Sequence, residues 1–395
     1  MDKVKQVQLS EIAELITKGT TPTTLGYEFV SNGVNFLKIE CFDETGAFLL
    51  DKVAHISEEC HEKLKRSQLK AGDILFSIAG AIGRVAVVTD EMIPANTNQA
   101  LAIIRISNDK VYLPYIKLIL TSPIVWRQFE KKKQGVAQLN LSLKDINELI
   151  IPLPDLSEQI KYANLFGKMF QIIENRKKEL NKCDELIKAR FVELFGSPVS
   201  NTLKWDKKTL KDVCTKLNDG THFSPESFET GDYKYVTAKN IKLSGFDFSN
   251  ITYVPEDVHR PIYERCNPEL GDVLYIKDGA TTGVAMVNTL EEEFTLLSSV
   301  ALLKQDRTIM NGYFLTALLN NEEMYLDIRN NMGGAAITRL TIAKLNAIKV
   351  IVPPIELQEQ FADFVKQVDK SKVAIQESLA EEQLLFDSLM QGYFG

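Results

Sequence analysis

No run of about 18 apolar residues occurs in this sequence, and its first residues, Met1-Asp2-Lys3-Val4-Lys5, lead into polar positions and not into an apolar signal core. Neither a membrane-spanning helix nor a secretory leader is expected, and the chain reads as cytoplasmic. Cysteine is sparse. Cys41, Cys60, Cys183, Cys214 and Cys266 are odd in number, scattered and never spaced C-x-x-C, which speaks for free thiols and against a disulfide framework or a zinc knuckle. His55, Cys60 and His61 lie close together, but a metal site needs three or four converging donors and a supporting shell, so no metal is expected. A surplus of positive charge is missing too. The net charge is −7, and the last segment, 353–395, carries 3 Lys+Arg against 8 Asp+Glu. A stand-alone duplex binder draws most of its affinity from phosphate neutralisation, so any DNA binding here must rely on local basic loops and a basic partner.

Catalytic motifs are absent as well. There is no G-x-x-x-x-G-K-[ST] loop, no G-x-G-x-x-G after a strand and no H-E-x-x-H. The glycine pairs Gly80/Gly83 and Gly279/Gly283 lack the lysine a phosphate loop needs, and Val352-Pro353-Pro354 lacks the Asn or Asp that opens a methyltransferase N-P-P or D-P-P motif. Asp155 beside Pro154 is not followed by Asp/Glu-x-Lys, which removes the nuclease reading.

What the chain does contain, it contains twice. Leu69-Lys70-Ala71-Gly72-Asp73-Ile74-Leu75 returns about 200 residues later as Pro268-Glu269-Leu270-Gly271-Asp272-Val273-Leu274. Ile151-Pro152-Leu153-Pro154 through Glu158-Gln159 is matched with Val352-Pro353-Pro354-Ile355 through Glu359-Gln360, and Leu194-Phe195-Gly196 with Tyr393-Phe394-Gly395. A period this long exceeds the roughly 20–50 residues of a solenoid repeat, so each copy is expected to be a domain with its own core. With 45% hydrophobic residues in 395, two cores can be filled. In both Gly-Asp pairs the glycine suits a positive φ and the aspartate a bond to its own turn, a structural reading.

The first copy mixes strand signals (Val34 to Ile39, Asp73 to Ile78, Arg84 to Val88) with helical periodicity from Leu113 to Trp126 and from Ser142 to Leu149. The second repeats the plan, with strands at Tyr233 to Val236, Val273 to Ile276, Val284 to Val287 and Val300 to Leu303 and a helix at Asn311 to Leu319. Each copy ends in a long amphipathic stretch. In the first, Phe166, Ile173, Leu180, Ile187 and Leu194 fall seven apart, with Phe170 and Phe191 at the intervening apolar position and Lys177 and Asp184 interrupting it. In the second, Phe361, Val365, Val368, Ile375, Leu379, Phe386 and Met390 form a less regular stripe, with Lys372 and Glu382 on its margins. Leaving such stripes in water would forfeit roughly 1.5–3 kcal/mol per side chain, so the two are expected to pack on each other as an antiparallel pair. If 156–194 is helical, the pair is about 58 Å long. The expected class is α+β: two similar mixed α/β domains, 1–153 and 197–353, separated by a coiled-coil-like spacer of two long antiparallel helices, 154–196 and 354–395.

The motif order resembles the specificity subunit of type I restriction-modification systems over essentially the whole chain. The first half supplies Leu9-Ser10-Glu11-Ile12, Lys18-Gly19-Thr20-Thr21-Pro22, Gly72-Asp73-Ile74-Leu75-Phe76-Ser77, Gly80-Ala81-Ile82-Gly83 and Gln138-Leu139-Asn140. The second supplies Leu210-Lys211-Asp212-Val213, Asp219-Gly220-Thr221-His222, Ala238-Lys239-Asn240-Ile241, Asp278-Gly279-Ala280-Thr281-Thr282-Gly283 and Thr338-Arg339-Leu340. The resemblance implies two target-recognition domains, each reading half of a bipartite site on double-stranded DNA, with the helices as a ruler between them. Because the loops of the two copies differ, the site is expected to be asymmetric. The resemblance also implies no catalysis and no cofactor in this chain: two modification (methyltransferase) subunits would bind S-adenosylmethionine, and restriction/translocase subunits would use ATP and magnesium. An unrecognised methyltransferase or nuclease, and a protein-binding scaffold, are the competing classes.

Candidate DNA contacts are side chains with paired donors and acceptors on loops. In the first copy these are Lys131, Lys132, Lys133, Gln134, Gln138 and Asn140; in the second, Arg329, Thr338 and Arg339 around Gly333-Gly334. Either set also fits a solvated charge run or a simple turn. Thr20, Thr21, Thr221 and His222 either donate to phosphates or close turns on their own backbone, and Lys38, Lys239 and Asn240 lie beside strands and face either DNA or water. Glu158-Gln159 and Glu359-Gln360 stand in first helical turns, where a carboxylate suits the helix dipole; the resemblance adds contact with a methyltransferase subunit.

Overall fold

The computed structural model describes residues 4–130, 140–330 and 339–394. The chain divides into two compact units, 1–176 with 378–395, and 177–377. Among the described residues no helix is long and apolar enough to cross a membrane.

The first unit is organised on a four-stranded antiparallel sheet of β1 (Leu15–Lys18), β2 (Ile74–Ser77), β3 (Val85–Val87) and β4 (Leu101–Arg105), in the order β1-β4-β2-β3. Its central strands read as nearly continuous apolar runs because both faces are covered. Successive side chains point to opposite faces. Ile74, Phe76, Ala102 and Ile104 thus pack with Tyr115, Ile116, Ile119 and Phe129, while Leu75, Leu101 and Ile103 pack with Leu37, Phe42 and Ala95. A three-stranded sheet of Ala54–Ile56, Val34–Leu37 and Ala95–Thr97 lies beside it in the chain's plan, with the last pair parallel. The periodic stretch from Leu113 is two helices, Leu113–Leu120 and Pro123–Glu130. Pro123 has no N–H to continue the first helix and pushes Ser122 out of helical geometry, but it suits the start of a new one.

The second unit repeats the plan with β5 (Cys214–Asp219), β6 (Val273–Ile276), β7 (Ala285–Val287) and β8 (Val300–Gln305), ordered β5-β8-β6-β7. Val273 and Tyr275 face one apolar cluster; Leu274 and Ile276 face the other.

Two polar devices recur in both units. Gly72 and Gly271 share φ +86, and the aspartate after each accepts its own turn's amide, Lys70 N–H at 2.8 Å for Asp73 and Glu269 N–H at 2.8 Å for Asp272. The buried carboxylates are then met by Arg105 at 2.7 Å and by Lys304 at 2.9 Å. The second device is a buried glutamine. Gln159 accepts from Tyr112 N–H at 2.9 Å and donates to Lys110 O at 3.0 Å and Pro154 O at 2.8 Å. Gln358 accepts from Asn311 N–H at 2.9 Å and donates to Ile309 O at 3.1 Å and Pro353 O at 2.7 Å. The partner of Gln159 is therefore Gln358, whereas matching the proline motifs pairs it with Gln360. The repeats align two residues earlier than that match suggests: Pro154 corresponds to Pro353, and in both copies the glutamine five residues on holds that proline's carbonyl.

The two long helices, α1 (Leu156–Phe195) and α2 (Ile355–Phe394), have 40 residues each. Asp155 caps α1 by accepting from Glu158 N–H at 3.0 Å, and its bond to the Ser157 hydroxyl, with that amide, holds its carboxyl below the ordinary range. Gly196, at φ +69, ends α1. Within the first unit the start of α1 lies antiparallel to the end of α2. Tyr162 meets Tyr393 at 5.0 Å between ring centroids, Phe166 meets Phe386 at 5.5 Å, and Arg176 pairs with Glu382 at 3.3 Å. Within the second unit the end of α1 lies against the start of α2: Phe191 and Phe195 meet Phe361 at 5.8 and 5.6 Å, and Lys372 reaches Asp184 at 2.7 Å. Each unit's apolar core thus includes helix from both repeats: Phe386, Met390 and Phe394 in the first, Phe191 and Phe195 in the second.

Of the seam residues, Phe166, Ile173, Phe191, Phe361, Val365 and Val368 are buried, and Leu180, Ile187, Leu194, Ile375, Leu379 and Phe386 are half-buried. Phe170 falls outside the seam and is 40% exposed. Tyr162, Phe195 and Phe394 were not in the expected stripe, yet they carry much of the aromatic contact. A seven-residue count locates one narrow seam, whereas a helix that also rests on a domain buries a wider arc at its ends.

Candidate nucleic-acid interface

In each unit three chain segments converge at one end of the central sheet: the turn after its first strand, the end of its second strand, and the stretch that begins at Asn140 in the first unit and at Arg339 in the second. In the first unit the turn is Gly19-Thr20-Thr21. Gly19 has no room for a side chain, since a Cβ there would lie 1.9 Å from Thr97 O, and Thr20 N–H donates to that carbonyl at 3.1 Å. Ile78, just past β2, donates to Ala100 O and accepts from Leu141 N–H at 2.9 Å, which ties in the segment at Asn140. The second unit uses the same frame. A Cβ on Gly220 would lie 1.9 Å from Leu296 O, Thr221 N–H donates to Leu296 O at 2.8 Å, and Lys277 accepts from Leu340 N–H at 2.8 Å.

A second pair of loops is fixed by an aromatic ring. A Cβ on Gly83 would come 2.4 Å from the Trp126 ring, and one on Gly283 would come 2.4 Å from the Tyr325 ring. Arg329 donates to the Tyr325 hydroxyl at 2.6 Å and lies 5.4 Å from the centre of that ring.

The expected contact residues divide accordingly. Asn140, His222, Lys239, Arg329 and Arg339 are exposed; Thr20, Thr21 and Lys38 are half-buried. Lys38 is held 3.0 Å from Glu40 and 5.3 Å from the Phe29 ring centre, and Thr21 bonds Gln99. Arg339 pairs with Asp278 at 3.5 Å. Thr221 and Asn240 are a correction to the expectation. Both are buried, Thr221 with its hydroxyl on the Phe223 backbone and Asn240 capping Thr237 and donating to Asp247 O at 3.1 Å. Their short polar side chains satisfy local backbone and leave nothing for a ligand. Lys131, Lys132, Lys133, Gln134, Gln138 and Thr338 lie outside the described residues.

The electrostatics of the two units differ most at the turn. In the second, Asp219 is buried and faces three cationic or protonatable groups: Lys277 at 3.1 Å, His222 at 3.2 Å and Arg265 at 3.6 Å. Arg265 also donates to Gly220 O. Sequence reading singled out neither Lys277 nor Arg265, nor Asp219 as an ion-pair centre; the only hint was a lysine ending a fully apolar strand. Further along this unit, His259 is buried, stacked 3.7 Å from the Tyr233 ring with its Nδ1 at 2.8 Å from Thr295 Oγ1, and burial depresses its pKa despite Glu293 at 3.3 Å. No cluster of three or more His, Cys, Asp or Glu able to hold a metal occurs among the described residues. What the arrangement offers is a rim of donors and acceptors on a rigid frame.

A model of the type I restriction modification DNA specificity domain matches residues 1–182 and 202–383. The specificity subunit of the EcoBI type I restriction enzyme of Escherichia coli is 30% identical over 154 residues, 38% of this chain, and that match spans about a third (32%) of the relative's length. The MjaIX specificity subunit of Methanocaldococcus jannaschii is 21% identical over 97% of this chain and 90% of its own. Among solved structures, the type I S subunit of M. genitalium superposes with a TM-score of 0.57 at 15% identity, covering 100% of this chain and 97% of that one. A chain from work on complex assembly and conformational transition in the type I system gives 0.57 at 18% identity, with 99% and 97% covered. At these identities the two structures speak to the fold.

Proposed function

The chain belongs to the type I restriction modification DNA specificity family, whose specificity subunits are the non-catalytic components of their complexes, and on that footing we propose that it recognises a bipartite, asymmetric site on double-stranded DNA. Each unit reads one half-site, and α1 with α2 sets the number of unread bases between them and docks two modification subunits. Those subunits bring S-adenosylmethionine, and restriction/translocase subunits bring ATP and magnesium; this chain brings none. The observation that carries the reading is that two units share one backbone frame, down to the glycine turns against Thr97 and Leu296, while differing in the side chains on its rim. A common frame with divergent rims suits the reading of two different short sequences by one chemistry. The net charge of −7 favours a different class, a scaffold that binds only proteins. Mapping methylated bases genome-wide in cells with and without the chain tests the proposal: a split motif with two unlike halves that vanishes on deletion supports it, and an unchanged methylation pattern refutes it. A footprint of two protected patches flanking unprotected bases excludes the scaffold.

A further inference from the structure

The turn repeated in both units is the same backbone carrying opposite chemistry. In the first unit the exposed Lys18 stands where the second has Asp219, Thr21 bonds Gln99, and the strand-end position behind them is the buried Ile78. In the second the corresponding positions are His222 and Lys277. The Lys277 side chain is 2% exposed and that of Asp219 is 4% exposed, with the two 3.1 Å apart. A buried ion pair is no better for stability than apolar residues of similar size, and often worse; the first unit manages with isoleucine. The pair is therefore accounted for by what it does to its neighbour. His222, with its side chain 57% exposed, turns Nε2 toward Asp219 Oδ1 at 3.2 Å. A carboxylate only accepts, so Nε2 must carry the hydrogen, and whenever the ring holds a single proton its other nitrogen, Nδ1, is the acceptor.

We propose that Asp219, neutralised from behind by Lys277, is a positioning residue that fixes the tautomer of His222, and that His222 is a specificity-determining residue accepting a hydrogen bond from an exocyclic amino group of adenine or cytosine in the half-site read by the second unit. In the major groove only those two bases offer a donor. Arg265, held on Asp219 and the Gly220 carbonyl, keeps the turn from swinging away. The inference rests on the DNA-recognition reading above and deepens it.

The test uses the full chain assembled with its modification subunits, first to obtain the methylated motif and then to measure binding to duplexes in which each adenine or cytosine of the second half-site, one at a time, is replaced by an analogue lacking its amino group. Wild-type protein should lose roughly 5- to 150-fold in affinity for one such analogue. H222A should bind the natural site correspondingly less tightly and no longer distinguish that analogue, and D219N should do the same without adding to the loss in the H222A background. H222A lies on the surface and keeps the test informative if D219N fails to fold. The proposal is overturned if H222A keeps the wild-type sensitivity to every analogue, or if D219N weakens all duplexes equally whether or not His222 is present. Absence of any split motif for the wild type would sink the DNA-recognition reading instead, and is seen at the first step.

Discussion

At the residue scale, buried polar groups separate what holds the units together from what they present. Gln159 and Gln358 each satisfy one backbone amide and two carbonyls where a long helix leaves its domain. Truncation to alanine would orphan those groups at a cost of about 1–3 kcal/mol, so Q159A and Q358A should each lower the denaturant midpoint with an unchanged slope. His259 makes a pH-dependent contribution. Burial holds its pKa below the ordinary value, so the folded form binds a proton less readily than the unfolded one. The stability it contributes is complete above about pH 6.5 and is lost as pH falls through the depressed folded value. Melting curves from pH 8 to pH 5 should show the second unit weakening over this range and H259Q flattening that trend; equal slopes for both proteins would contradict the assignment.

At the scale of elements, the long helices matter most, because each crosses from one compact unit into the other. Their ends are anchored by aromatic clusters, Phe166 with Phe386 and Phe394 in the first unit and Phe361 with Phe191 and Phe195 in the second. Inserting one heptad into both helices at matching positions adds about 10 Å, the length of roughly three base pairs at ~3.4 Å each. The methylated motif should then keep both half-sites and gain about three unread bases. Altered half-site letters, or an unaltered gap, would dismiss the ruler.

At the scale of the whole molecule, the charge balance bears on how strongly the proposed DNA binding depends on partner subunits. A chain of net charge −7 gains little from counterion release on its own, so the isolated protein should bind duplex weakly and with a shallow salt dependence, and the complex with its modification subunits should bind tightly and with a steeper one. Titrations at two ionic strengths, with and without those subunits, check this; tight, specific binding by the chain alone would contradict it.

The duplication, the short apolar runs of the central strands and the two long amphipathic helices are legible in the amino-acid order, because these signals are periodic and short-range. That order could not place the aromatic anchors outside the heptad count, such as Tyr162 and Phe394, nor decide that Thr221 and Asn240 turn inward. The tertiary structure alone decided the meeting of Asp219 with Lys277 and Arg265. These residues are far apart in the chain: the sheet order β5-β8-β6-β7 carries the ends of β5 and β6, and with them Asp219 and Lys277, to one end of the sheet, and Arg265 arrives from the last turn of the helix Glu256–Arg265. Local propensity says which residues form a strand; which strands become neighbours, and hence which charges face each other, is settled by packing of the whole unit.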